Sequence, residues 1–166
     1  MNEEPEQNEN ARVRLRPVRP EDEPFLYALY SSTRKEEIAA FGWNEAQQQV
    51  FLDLQFRGQQ RHFQAQALEV DYRVIEQDGS PVGQLVVIRS EREIRLADIS
   101  LLPEYRGGGI GTALIKDLFA EAKEARKPVT LHVEKLNRAA RLYERLGFAT
   151  TGDTGLHFKM EWRAED

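Results

Sequence analysis

Four glycines, Gly107, Gly108, Gly109 and Gly111, follow Arg106 in the run Leu-Leu-Pro-Glu-Tyr-Arg-Gly-Gly-Gly-Ile-Gly-Thr from Leu101 to Thr112. Residues of this type at this spacing suit an anion. Glycine reaches backbone conformations closed to other residues and carries no side chain to hold a diphosphate away from main-chain N–H groups. The residues after the turn have helical periodicity, so the positive end of a helix dipole joins those donors, and Arg106 adds a fixed charge with a forked set of N–H groups. Asp98, just upstream, interrupts an otherwise apolar strand pattern, and a carboxylate in that position must be paired or perturbed. Tyr143 follows Asn137 by about 1.7 helical turns. Its phenol, with a pKa of about 10, is a group that can donate a proton.

Other phosphate loops fit this turn poorly. The dinucleotide fingerprint Gly-x-Gly-x-x-Gly finds Gly107 and Gly109, but position 112 is Thr. The nucleotide loop that ends in Gly-Lys-Ser/Thr fails because no such Lys pair follows. The pattern that does fit is Arg-x-x-Gly-x-Gly, through Arg106, Gly109 and Gly111.

The elements that must hold these residues are visible in the periodicity. Met1 to Ala11 is polar and glutamate-rich, and reads as a flexible acidic tail ahead of a single domain spanning 12–166. Arg12 to Arg16 alternates like a strand. A helix follows Pro20, with Glu21, Asp22 and Glu23 in its first turn and Phe25, Leu26, Leu29 and Tyr30 on its apolar face. Ser31 to about Leu68 is helical apart from a break near Phe41-Gly42-Trp43. Asn44 is placed to cap the second helix, and Val50, Phe51, Leu54 and Phe63 form its expected buried stripe. Strands are expected at Tyr72 to Gln77, Val82 to Ile88 and Glu93 to Leu101, then a helix with Ile110, Leu114, Ile115, Leu118, Phe119 and Ala122 on its buried side. That helix crosses over to a strand at Val129 to Val133, which requires parallel pairing with the strand before the turn. Asn137 caps a short helix that ends at Gly147, and closing strands lie near Thr150 and at Leu156 to Trp162.

The 166 residues carry 40% apolar side chains, enough for one core, with no cysteine and a net charge of −5. Disulfides, thiolate metal sites and an acyl-cysteine intermediate are excluded. The acidic balance argues against nucleic acid held through its phosphates, and the three histidines, His62, His132 and His157, lack ligand spacing. No apolar run is long enough for a membrane span, so a cytoplasmic protein is expected.

With its Arg-x-x-Gly-x-Gly turn and the later strand, Asn137, Ala139, Tyr143 and Gly147-Phe148, the chain resembles the GCN5-related N-acetyltransferase (GNAT) superfamily. The likeness is close over residues 93–148 and elsewhere rests on element order. It implies an α+β fold with a central mixed, mostly antiparallel twisted sheet, splayed strands and flanking helices. It implies acetyl-CoA as cosubstrate, no metal, and direct transfer to an amine in a ternary complex. The coenzyme contacts it implies are Leu101, Leu102, Arg106, Gly107, Gly108, Gly109, Ile110, Gly111, Thr112, Asn137 and Tyr143, with Tyr143 as the general acid. For the base, Asp98 and Glu93 are the candidates, with Glu134 a weaker one; Asp98 is alternatively paired to Arg95 or Arg12. The acceptor is a small-molecule or peptide amine, with the acidic balance favouring a small cation, and a homodimer is compatible with the family. Bland readings accompany these: Asn137 as a helix cap alone, His132 as a hydrogen-bonded interior histidine rather than one lining the site, and the basic run at 123–127 as either a solvated helix end or a contact to the coenzyme 3′-phosphate. Two alternatives differ in class, a non-catalytic CoA-binding regulator and a nucleotide-binding domain.

Overall fold

The computed structural model describes residues 12–65 and 69–165; the expected acidic tail lies outside them. Strands β1 (Val13–Pro17), β2 (Val70–Gln77), β3 (Ser80–Arg89), β4 (Ile94–Leu101), β5 (Val129–Glu134), β6 (Ala149–Asp153) and β7 (His157–Trp162) form one seven-stranded sheet in the order β1-β2-β3-β4-β5-β7-β6. All neighbours are antiparallel except β4 and β5, as the crossover demands. The helices are α1 (Glu23–Ala39), α2 (Glu45–Ala65), α3 (Ile110–Ala125) and α4 (Ala139–Arg145). This is the mixed α/β architecture expected from the element order. Among the described residues no helix is long and apolar enough to cross a membrane.

One sheet face packs against α3. Its side chains Ile110, Leu114, Ile115, Leu118 and Ala122 are buried in one cluster with Leu85, Val87, Leu96, Leu131 and Met160. This is the apolar stripe that its four-residue spacing predicts. Phe119 stacks on Trp162, with ring centroids 4.0 Å apart and planes at 11°. The other face meets α1 and α2, where Leu26, Tyr30 and Phe56 form a second cluster.

Within α2 the buried side differs from the expected stripe. Phe56 and Phe63 are buried, whereas Val50 and Leu54 are 60% and 62% exposed. Aromatic packing at the helix start sets this phase, since Phe51 turns to Trp43 and Phe41. Asn44 does cap α2: its Oδ1 accepts from Gln47 N at 2.8 Å, and Gln47 Oε1 accepts from Asn44 N at 3.0 Å.

Strand β4 carries a bulge. Asp98 sits opposite Val86 and Leu96 opposite Val87, so Ala97 has no partner in the register. Ile94 and Leu96 before the bulge and Ile99 and Leu101 after it therefore reach the same α3 core, although strict alternation would separate them. Asp98 and Ser100 are turned toward the α1–α2 face.

Asp22, expected among the acids of the first helical turn, is buried. Arg16 donates to its two carboxylate oxygens, each at 2.8 Å, and Arg19 N adds a bond of 2.7 Å. This joins β1 to the start of α1. Hydrogen bonding from Arg16 holds the Asp22 carboxyl below its ordinary value, outweighing burial. The stabilisation is therefore complete above the unfolded carboxyl pKa and is lost as pH falls through the depressed folded value. Asp22→Asn should lower the unfolding free energy by about 3 kcal/mol in urea at neutral pH, the low end for breaking a buried pair because Glu76 lies 3.4 Å from Arg16. The gap between variant and parent should shrink below the usual carboxylate range.

Candidate active site

The site grows from the end of β4. A short helical turn, Pro103–Tyr105, leads through Arg106 into the glycines, and Gly107 and Gly109 take φ of 79° and 88°. Only glycine adopts these angles without strain. Gly109 caps α3, its carbonyl accepting from Ala113 N at 3.0 Å. No backbone or side-chain acceptor among the described residues takes the N–H groups of 107 to 112. A Cβ placed on Gly107, Gly108 or Gly109 would meet no atom within 4 Å, so the turn is open where side chains would stand. At Gly111 the same Cβ would come within 3.8 Å of Ile99 Cδ1, which seats α3 close to β4. Arg106 Nε donates to Leu101 O at 2.9 Å, fixing the guanidinium beside the turn with its two Nη groups left over. A cavity of about 250 Å³ lies there, lined by Arg12, Gln77, Glu104, Arg106, Gly108 and Ile110 among others. Unpaired N–H groups, a helix N-terminus and a guanidinium are the donor set a diphosphate requires.

The second part of the site is a break in the sheet. β4 and β5 pair at only two positions, Ile94 with Val129 and Arg95 with Thr130, and then separate. β4 stays bonded to β3, and β5 stays paired with β7 along its length. Leu102 N donates to Val82 O at 2.8 Å, on the β3 side. Alternation therefore points the N–H groups of Ile99 and Leu101 into the gap. Leu102, expected to bind through its backbone, has both groups committed, because its carbonyl accepts from Tyr105 N at 2.9 Å.

Asp98 lies on the α1–α2 side of this gap. It is paired to neither Arg95 nor Arg12: Arg12 lies 4.0 Å from Asp78, and Arg95 Nη2 is 3.1 Å from His132 Nδ1. Its partners are Gln84 Nε2 at 2.5 Å and Ser100 Oγ at 2.8 Å, both on Oδ2. Burial pushes the Asp98 carboxyl above the ordinary carboxylate range, against the pull of these two donors. Tyr143, half-buried on α4, packs edge-on to Phe148 at 5.7 Å. Burial and then the Asp98 charge push its phenol up to about 12. The Asp98 charge is thus felt at Tyr143.

The remaining expected residues divide. Asn137 caps α4, its Oδ1 accepting from Ala139 N at 2.9 Å, which leaves its amide N–H groups for a ligand. Gly147 takes φ of 105° beyond α4, and Phe148 N closes back on Tyr143 O at 3.0 Å. His132 is exposed, not interior, because α1 and α2 do not cover β5. Glu93 accepts from Thr130 Oγ1 at 2.9 Å at the paired end of β4 and β5, away from the gap, and Glu134 is exposed at the far end of β5. The basic run at 123–127 sits at the other end of α3 from the glycine turn, roughly 22 Å away at 1.5 Å per residue. It lies at the opposite end of the helix from the turn, and Lys127 Nζ is tied to Ser90 O at 2.7 Å. No cluster of three or more His, Cys, Asp or Glu able to hold a metal occurs among the described residues. Sequence reading missed Gln84 and Ser100, although each is a polar residue in an apolar strand, the signal that singled out Asp98.

Residues 69–150 match the sequence model of the Acetyltransferase (GNAT) domain. Uncharacterized N-acetyltransferases of Mycobacterium tuberculosis and Mycobacterium bovis are 37% identical over 78 residues, 45% of this chain and 50% of theirs. The chain thus spans about half the length of the curated relatives it matches. The crystal structure of the PaiA N-acetyltransferase from Thermoplasma acidophilum in complex with coenzyme A superposes with a TM-score of 0.71 at 19% identity, covering 92% of this chain and 99% of that one. A GNAT family acetyltransferase from Elizabethkingia anophelis with acetyl-CoA bound gives 0.59 at 14% identity, covering 92% and 99%. At these identities the two structures share the fold.

The turn's role can be separated from its folding strain. Gly108 needs no positive φ, so Gly108→Val should weaken coenzyme A binding at least about tenfold by calorimetry while leaving the urea midpoint nearly unchanged. Gly109→Ala should lose both affinity and roughly 1 kcal/mol of stability, because its φ of 88° is disfavoured by a Cβ.

Proposed function

Because the chain belongs to the GCN5-related N-acetyltransferase superfamily, we propose that residues 12–166 act as one domain that transfers an acetyl group from acetyl-CoA to a primary amine, by direct attack in a ternary complex. The observation that carries this reading is the opened β4–β5 ladder. It leaves the N–H groups of Ile99 and Leu101 free beside the glycine turn, on the strand that carries Asp98.

Bound acetyl-CoA supplies an acetyl thioester. The turn from Arg106 to Thr112 holds its diphosphate, and the Ile99 and Leu101 N–H groups with the Asn137 amide orient the pantetheine arm and the thioester carbonyl. On the α1–α2 side, Asp98 receives the acceptor ammonium. An alkyl ammonium has a pKa of about 10.4, so a proton must leave before attack. The ionised Asp98, with its affinity for protons raised by burial, is the group placed to draw it off. Tyr143 serves the sulfur. A phenol at about 12 remains protonated at neutral pH and gives up its proton less readily than a free phenol. It therefore stabilises the departing thiolate by a hydrogen bond, and passes its proton to sulfur only as it regains one from the nitrogen that has become the amide. Entry from the acidic Asp98 side favours a small cationic amine as acceptor.

Thiol release from acetyl-CoA across a panel of polyamines, aminoglycosides, amino acids and peptide amines tests the assignment. Coenzyme binding with no release for any amine would leave a coenzyme-binding protein without transfer activity. Tyr143→Phe should lower kcat by about 10²-fold with coenzyme Kd changed less than about twofold. The acid limb of kcat/KM should lie above the ordinary carboxylate range, because only ionised Asp98 functions, and should vanish in Asp98→Asn.

A further inference from the structure

Asp98 ends a hydrogen-bonded chain that begins on α2. Gln60 Nε2 donates to the Tyr72 hydroxyl at 2.9 Å, that hydroxyl donates to Gln84 Oε1 at 2.8 Å, and Gln84 Nε2 donates to Asp98 Oδ2 at 2.5 Å. Ser100 Oγ donates to the same oxygen at 2.8 Å. One helix and three adjacent strands contribute, and every donor points toward Asp98.

That direction limits what the chain does. A carboxamide does not pass protons along as a hydroxyl or imidazole does, so a proton taken by Asp98 does not leave through Gln84. The chain instead supplies positive ends of dipoles to a carboxylate that burial would otherwise neutralise. Both donors use Oδ2, and among the described residues Oδ1 has none, so the remaining lone pairs are held for a ligand. Gln84 can present either end of its amide, and the wrong end would set Oε1 against the carboxylate. Tyr72 decides between them. Because Gln60 donates to its oxygen, its own O–H is directed at Gln84 Oε1, which leaves Nε2 for Asp98.

We propose that Gln84, fixed in orientation by Tyr72, is a positioning residue that keeps Asp98 ionised with one oxygen presented to a protonated amine acceptor. The part concerning the acceptor rests on the reading of Asp98 given above. The groups facing this carboxylate are few. Tyr72 from β2 and Tyr143 from α4 are both pushed up to about 12 and stay neutral near pH 7. Gln84 from β3 and Ser100 from β4 donate to it, while Arg95 on β4 is engaged with His132. The α1–α2 side packs as Leu26, Tyr30 and Phe56, and Asp22, at the start of α1, is paired with Arg16.

The test is a carboxyl ¹³C NMR titration of Asp98 in the full chain, which needs no acceptor. Gln84→Met should raise the midpoint by about one pH unit, a tenfold fall in the ionised fraction below it. Tyr72→Phe, which keeps the ring that packs 5.3 Å from Phe63, should raise it by a smaller amount. Unmoved midpoints in both variants overturn the proposal, whatever the amine panel shows. Should the midpoints move while Asp98→Asn retains full turnover with every amine of the panel, the chain governs the carboxylate's charge but the acceptor reading of Asp98 falls. Midpoints that move together with a loss of turnover in Asp98→Asn support both.

Discussion

The structure depends on a parallel ladder that stops after two pairs. β4 is held by β3 and β5 by β7, while α3 packs across both from the core side. With each strand secured on its outer flank, neither can lean inward to complete the hydrogen bonds beyond Arg95 and Thr130. Main-chain donors left facing apolar surroundings cost about 1 kcal/mol or more each. A ligand that supplies acceptors along the gap recovers that cost, and an amide-bearing arm tethered to a diphosphate has such acceptors. The glycine turn lies at the end of the same strand, so one short run of backbone, 99 to 112, presents both sets of donors.

The bulge at Ala97 then divides the labour between the two sides of the sheet. On the α3 side the register delivers Ile99 and Leu101 as core, which supports the turn from beneath. On the α1–α2 side it delivers Asp98 and Ser100, adjacent to Gln84 and Tyr72. Tyr143 reaches the same neighbourhood from α4, and the charge on one group stiffens the proton affinity of the other. A carboxylate that favours gaining a proton and a phenol that resists losing one are complementary when an amine and a thiolate must exchange charge between them.

Much of this was legible because it is local. The turn at 106–112, the stripe of α3, the Asn44 and Asn137 caps and the Gly147 terminus are all encoded by residues within a few positions of one another. What escaped was set by distant partners. Asp98 meets Gln84 rather than Arg95, because the choice depends on the pairing of β3 with β4. Asp22 appeared to be a dipole acid until Arg16 closed on it from β1. Val50 and Leu54 matched helical periodicity as well as Leu52 and Phe56 do, and only the aromatic contacts of Phe51 chose the phase. His132 lies between apolar neighbours, yet on that face the α1 and α2 cover ends before β5. Leu102 differs again, since its two hydrogen bonds are made by the chain that folds back after it.

The unpartnered residue in β4 gives the strand a parity. Losing one residue between Leu96 and Asp98, or gaining one there, would exchange inside for outside over everything downstream to Leu101, burying a carboxylate in the α3 core and expelling two aliphatic side chains. Exchanges of one amino acid for another in this stretch are therefore a milder perturbation than changes in its length, and a related chain could drift far in side-chain identity here while keeping the same count of residues up to the glycines.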